Sequence, residues 1–281
     1  MDSARGAPGL STMRHLIWAV PFGVAVGPTA TWLFGRATAN VWQLGPGALV
    51  PVIAAYLIYT YLRNDGERGP ESSALGFAFL GPGLLAIALD AAIETGLLGA
   101  AGLVLCLPGL ALLLLGARRA WGLRFPLALC VLAIPVPAVA VAPIYVALRT
   151  ASATGAAAIL GALGIPTARS GTSLIIPTGT YEVADVCSGF QTLFATVALA
   201  LVLAYLSDSP RRRLAILACA PPLALLTNIV RVSALVLLGH HYGLEILDTF
   251  VHELSGLISF AASLVVLFAI AGPRSVASEA A

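Results

Sequence analysis

Eight stretches of about 20 apolar residues follow one another along this 281-residue chain, at approximately 15–35, 46–62, 73–90, 97–117, 125–148, 187–206, 213–239 and 254–272. A bilayer hydrocarbon core of roughly 30 Å is crossed by about 20 residues of helix. Each stretch is therefore read as a span, and the chain as all-α: one integral membrane domain over residues 1–281, a polytopic bundle of about eight helices. Pro21, Gly23, Gly45 and Pro46 interrupt the first two spans. The first apolar run has no small-residue cleavage site ahead of a soluble domain, so it reads as a retained span and not a signal peptide. Composition closes off the other classes. Only 10% of residues are charged and 59% are hydrophobic, whereas a soluble domain carries about 25% charged residues. A soluble globular enzyme is excluded, and so is a disordered chain, which could not keep this much apolar surface solvated.

The basic residues are all arginine, 15 of them, and the net charge of +2 is too small to argue for a nucleic-acid partner. Their placement sets an orientation, because cytoplasmic loops carry the excess of basic residues. With the N-terminus inside, the inner side receives Arg5, Arg14, Arg63, Arg68, Arg118, Arg119, Arg124, Arg211, Arg212, Arg213 and Arg274. The outer side receives Arg36, Arg149 and Arg169. Both termini are expected in the cytoplasm, and the protein in the cytoplasmic (inner) membrane.

Residues 149–186 break the rule of short loops. An Ala/Gly-rich interfacial helix leads into turn residues around TSLII and TYEVAD, two short β-prone runs that read as a small hairpin. The arginine count places this loop outside the cell, just before the sixth span. Long loops of this kind are usually functional or disordered, and its β-branched residues and few charges favour an ordered, functional one.

Depth along the helices brings three polar groups to one level. Cys187 opens the sixth span 24 residues before Arg211, and Arg231 lies 18 residues after Arg213, or roughly 27 Å at helical rise. His252 stands just ahead of the eighth span. All three fall near the outer boundary of the hydrocarbon. An arginine within an apolar run is costly unless paired or hydrated, and is by default a functional candidate. Asn228 sits one turn before it on the same face. Cys187 belongs to a Cys-Ser-Gly that starts a helix, where the dipole and free N–H groups favour a thiolate. Glu182 and Asp185 oppose that, so a nearby cation is needed. His252, Ser255 and Gly256 share one helical face, where Gly256 allows close helix contact. Cys106, Cys130 and Cys219 fall at other depths and read as packing residues. The four cysteines form neither a disulfide framework nor a metal motif.

The stretch Glu182-Val-Ala-Asp-Val-Cys-Ser-Gly189, then Asn228-Ile-Val-Arg231, then His252-Glu-Leu-Ser-Gly256, resembles the exosortase/archaeosortase family of membrane protein-sorting proteins. The resemblance is clearest over 125–272, which it implies is an exosortase-like catalytic core following four N-terminal spans in 1–124. It implies a membrane-embedded cysteine transpeptidase or protease with Cys187 as nucleophile, Arg231 as essential arginine and His252 as essential histidine. Ser188, Gly189 and Asn228 are the expected supporting residues, with no metal and no cofactor. The implied substrates are exported proteins whose C-terminal tail carries a recognition motif, one transmembrane helix and a basic cluster. A lipid or surface component, or water, would accept the acyl group. Many bacterial members carry an arginine four positions after the cysteine, where this chain has Gln191.

Three other functions compete. A transporter or channel would need broken helices and midplane charges, which are almost absent here, since Asp90 and Glu94 fall at an outer helix end. A metallopeptidase would need ligands at helical spacing, which His240, His241, His252 and Glu253 do not provide. A non-catalytic membrane assembly protein would leave Cys187, Arg231 and His252 far apart.

Overall fold

The computed structural model describes residues 22–35, 49–66, 72–183, 189–243, 245–246 and 249–272. They belong to two compact units that divide between Pro135 and Val136. Among them, five helical stretches are long and apolar enough to cross a bilayer: Ala74–Ile93, Leu97–Gly122, Val139–Ala162, Pro210–Tyr242 and Phe250–Ala271. Multiple spans make this a multi-pass membrane protein.

The first unit contains a helix over residues 22–35 (α1), α2 (Leu49–Asn64), α3 (Phe77–Ile93, entered through a 3-10 turn), α4 (Leu97–Gly122) and the short α5 (Arg124–Leu129). Gly83 on α3 and Gly102 on α4 let the two backbones touch: a Cβ at Gly102 would lie 2.6 Å from the Gly83 carbonyl. Small residues at such crossings drive helix association where lipid supplies no hydrophobic force. Asp90 is buried at the α3–α4 turn, where it accepts from the Thr95 hydroxyl and from the Gly96 N–H at 3.1 Å. At the opposite end of α4, Arg119 pairs with Asp65 at 2.8 Å.

The fifth predicted span, 125–148, is not one helix. After α5 and a 3-10 turn the chain becomes extended at Ile134 (ψ 124°) and Pro137 (ψ 137°). Proline has no N–H to donate and its ring disfavours a helical residue before it, so the Pro-Val-Pro sequence resets the chain. A new helix, α6, then runs Ala138–Ala162. Residues 149–162, read from sequence as an interfacial helix opening the outer loop, are its second half, and Arg149 lies within it.

The second unit joins α6 to strands β1 (Ala168–Ser170), β2 (Ser173–Ile176) and β3 (Gly179–Glu182), and then to α7 (Phe190–Leu206), α8 (Pro210–Tyr242) and α9 (Phe250–Ala271). The strands form an antiparallel sheet in sequence order, with Arg169 opposite Leu174 and Leu174 opposite Tyr181. The expected hairpin thus carries a third strand, added through the turn at Gly171. Strand alternation points Leu174 and Ile176 inward with Tyr181, while Ile175 is 43% exposed. The buried face shares one core cluster with Ala153, Ala156 and Leu160 of α6 and Val232, Leu235 and Val236 of α8.

At the other end of α8, its arginines close the neighbouring helices. Arg213 Nε donates to the Ser207 carbonyl just past α7 at 2.7 Å, and Arg212 Nη1 to the Ala271 carbonyl of α9 at 3.4 Å. Cations at helix C-termini satisfy orphan carbonyls and the dipole together.

Candidate active site

Arg231 is the polar centre of the second unit. Helical spacing puts Asn228, Arg231 and Leu235 on one buried face of α8, and Arg231 is only 7% exposed. Its Nε donates to Ser255 Oγ at 2.9 Å, and its Nη2 donates to the His252 carbonyl at 3.3 Å. Nη2 also lies 3.4 Å from His252 Nε2. A guanidinium can only donate, so this nitrogen faces Arg231 as an acceptor wherever the two are hydrogen-bonded. Ser255 in turn donates to the His252 carbonyl at 2.6 Å. Gly256 faces the guanidinium, where a Cβ would make ordinary van der Waals contact with Nη2 at 3.4 Å.

His252 occupies the first turn of α9, which starts where Thr249 caps the N–H of Val251. Two contacts fix how α9 runs beside α8. Arg231 meets His252 at one end and Arg212 meets Ala271 at the other, 19 residues apart on both helices. That separation is about 28 Å, close to the thickness of a hydrocarbon core.

One turn below Arg231, Asn228 Nδ2 donates to Ser152 Oγ of α6 at 2.8 Å, with both side chains buried. Against Asn228 lies Gly189, the residue that starts α7. Its φ is +81°, a conformation suited to glycine, and a Cβ there would be 2.6 Å from Asn228 Cγ. The next residue, Phe190, stacks on Tyr145 of α6 at 4.6 Å between ring centroids. Beyond Arg231, a cleft of about 450 Å³ opens between α8 and α9, walled by Val230, Leu254 and Ile258 and reaching Arg231 and Ser255.

Of the site residues named from sequence, the structure brings Arg231 and His252 into contact and sets Gly189 on Asn228. Cys187 and Ser188 lie outside the described residues. Cys106 packs with Val26 and Ile87 in the first unit. The Cys130 thiol donates to the Pro126 carbonyl at 3.4 Å. Cys219 sits 12 residues before Arg231 on α8, about 18 Å along the helix. His240 Nδ1 is 3.1 Å from Thr178 Oγ1, at the β2–β3 turn, and its ring meets His241 edge-on. Among the described residues, no group of three or more His, Cys, Asp or Glu side chains comes together in a form able to hold a metal.

Ser152 escaped the reading from sequence, and Ser255, placed there on the face of His252 and Gly256, was given no role. Ser255 stands three residues after His252, a spacing that returns a serine hydroxyl to its own helix backbone, but nothing local shows that it also receives Arg231. Ser152 stands in an Ala/Ser/Thr run whose other members look alike.

One end of the second unit's helices thus holds a buried arginine in contact with a half-buried histidine and serine. A family model described as transmembrane exosortase matches residues 39–269. The chain belongs to the transmembrane exosortase family, the one that the Cys187, Arg231 and His252 motifs resemble. No curated protein and no solved structure matches the chain.

Proposed function

We propose that this protein is a cysteine transpeptidase or protease that cuts C-terminal sorting signals from exported proteins at the outer membrane–water boundary. The observation that carries this reading is the contact between Arg231 and His252, two groups 21 residues apart in an apolar protein. Burying a guanidinium beside an imidazole is costly in a membrane, and such pairs mark function.

The flanks of the nucleophile's segment support placing Cys187 beside them. Val183 belongs to the core cluster that includes Val232, Leu235 and Val236, and Gly189 abuts Asn228. Arg231 lies between those contacts on the same helix. Only Ser188 separates Gly189 from Cys187, a reach of at most about 7 Å between their Cα atoms.

In this mechanism the His252 imidazole takes the Cys187 proton. The thiolate attacks the scissile carbonyl carbon, a C–S bond forms, and the carbonyl π pair moves onto oxygen. Arg231, permanently charged, stabilises the thiolate and then this oxyanion. Collapse breaks the C–N bond, and the His252 imidazolium gives its proton to the departing amine. A surface amine, a lipid group or water then adds to the thioester, again through His252, and frees Cys187. The substrate's basic cluster would stay on the cytoplasmic side with both termini of this protein, holding the cut site at the depth of Cys187.

The test is processing of the cell's own tailed exported proteins. Cys187→Ala should accumulate precursors with intact tails, while Cys106→Ala, Cys130→Ala and Cys219→Ala process normally. Hydroxylamine should release a tail-less product from the wild-type enzyme by cleaving the thioester. Equal processing by Cys187→Ala and Cys219→Ala would overturn the reading.

A further inference from the structure

We propose that Ser255 is the positioning residue that aims Arg231, a role that rests on the catalytic reading above. The geometry commits every part of this hydroxyl. Its one proton goes to the His252 carbonyl, three residues back on α9, at 2.6 Å. A serine bonded to its own helix in this way has a fixed χ1, so its lone pairs face a fixed direction. That direction is across the α8–α9 interface, where Arg231 Nε donates at 2.9 Å.

The consequence falls on the guanidinium. Its Nε edge is anchored on Ser255 and its Nη2 on the His252 carbonyl, so both rotation about the last side-chain bond and translation along α9 are blocked. Two donor atoms of a planar fork are used for location. The Nη1 group, with its two N–H bonds, is left uncommitted among the described residues and is held at one angle beside His252. Arg231 then meets a developing negative charge without first reorganising, the condition under which such a donor is effective. Ser259 offers a contrast on the same helix face: its hydroxyl donates only to the Ser255 backbone carbonyl, at 2.9 Å, and orients nothing on α8.

Cys187 reports the position of Arg231 without any peptide substrate, because alkylation rate follows thiolate content. The probe is iodoacetamide, applied at pH 7 to the full-length protein in membranes, with Cys106, Cys130 and Cys219 replaced by alanine. Arg231→Ala should slow labelling of Cys187 by about tenfold or more, as expected when a charge partner of a thiolate is removed. Ser255→Ala should slow it by about three- to tenfold, and Ser255→Thr, which keeps the hydroxyl, should return it to within about twofold of the parent. Ser259→Ala should match the parent. Thermal melting of each variant reports folding, and the Thr variant separates loss of the hydroxyl from loss of the fold.

If Arg231→Ala slows labelling while Ser255→Ala labels like the parent, the positioning role is wrong and the catalytic reading stands. If Arg231→Ala itself leaves labelling unchanged, the catalytic reading falls first. Failure of Ser255→Thr to restore a rate lost in a folded Ser255→Ala protein also overturns the role of the hydroxyl.

Discussion

Arg231 uses two nitrogens for location, Nε on Ser255 and Nη2 on His252, and keeps Nη1 beyond them, which is the residue-scale reason a lysine cannot replace it. Ser255 Oγ and the His252 carbonyl lie 2.6 Å apart, so an ammonium that bonds both is spent on them and has no second nitrogen to present to a developing negative charge. Arg231→Lys should process tailed precursors about 100-fold more slowly than the parent, a loss of roughly 2.7 kcal/mol in transition-state stabilisation, measured as precursor half-life in membranes. A rate within about threefold of the parent would show that charge alone suffices. Gly189 makes a second residue-scale case. Its φ of +81° and its closeness to Asn228 give Gly189→Ala two separate costs: about 1–2 kcal/mol of left-handed backbone strain and a clash with the Asn228 side chain. The double variant Gly189→Ala/Asn228→Ala should recover part of the thermal stability lost in Gly189→Ala, because only the clash is removed. Full recovery, or none, would contradict this division.

At the scale of elements, α8 decides most of the second unit. At helical rise its 33 residues extend about 50 Å, and Arg231 lies about 31 Å from its start. The remaining turns project past the level of the site, and the three-stranded sheet packs on them and on the second half of α6. The sheet is therefore tied to the helix of Arg231 by its inward face. Leu174→Ala should lower stability by about 2–5 kcal/mol and reduce processing, since Leu174 is fully buried. Ile175→Ala, on the opposite face of the same strand, should cost less than about 1 kcal/mol. Thermal denaturation in detergent compares the two, and equal losses would mean the sheet does not pack through its Leu174 face. Strand alternation around TSLII was readable from sequence. The third strand was not, because Ala168-Arg169-Ser170 has no β-rich pattern and exists only by pairing with β2.

For the whole molecule, the equal 19-residue intervals between paired contacts on α8 and α9 set the site one hydrocarbon thickness from the arginine cluster at Arg211–Arg213. The arginine count predicts that cluster in the cytoplasm, and the proposed mechanism then requires the site to open outward. A membrane-impermeant maleimide should label Cys187 in intact oriented cells when Cys106, Cys130 and Cys219 are alanine. Labelling only after the cytoplasmic face is exposed would invert the topology and end the sorting mechanism.

Hydrophobic length and arginine placement are one-dimensional quantities, so the sequence by itself determined a multi-pass helical protein, its family, and the common depth of Arg231 and His252. Depth along a helix is simply residue count times rise. Rotation about each helix axis and the choice of neighbour are not, because they depend on which side chains fit across an interface. Tertiary structure alone therefore chose Ser255 to receive Arg231, Ser152 to receive Asn228, and Gly189 to meet α8. It also joined residues 149–162, expected as an interfacial helix opening the outer loop, to 138–148 as one helix that supports the sheet: the break imposed by Pro135 and Pro137 shifted the start of α6, and the buried contacts of Ala153, Ala156 and Leu160 held the rest in place.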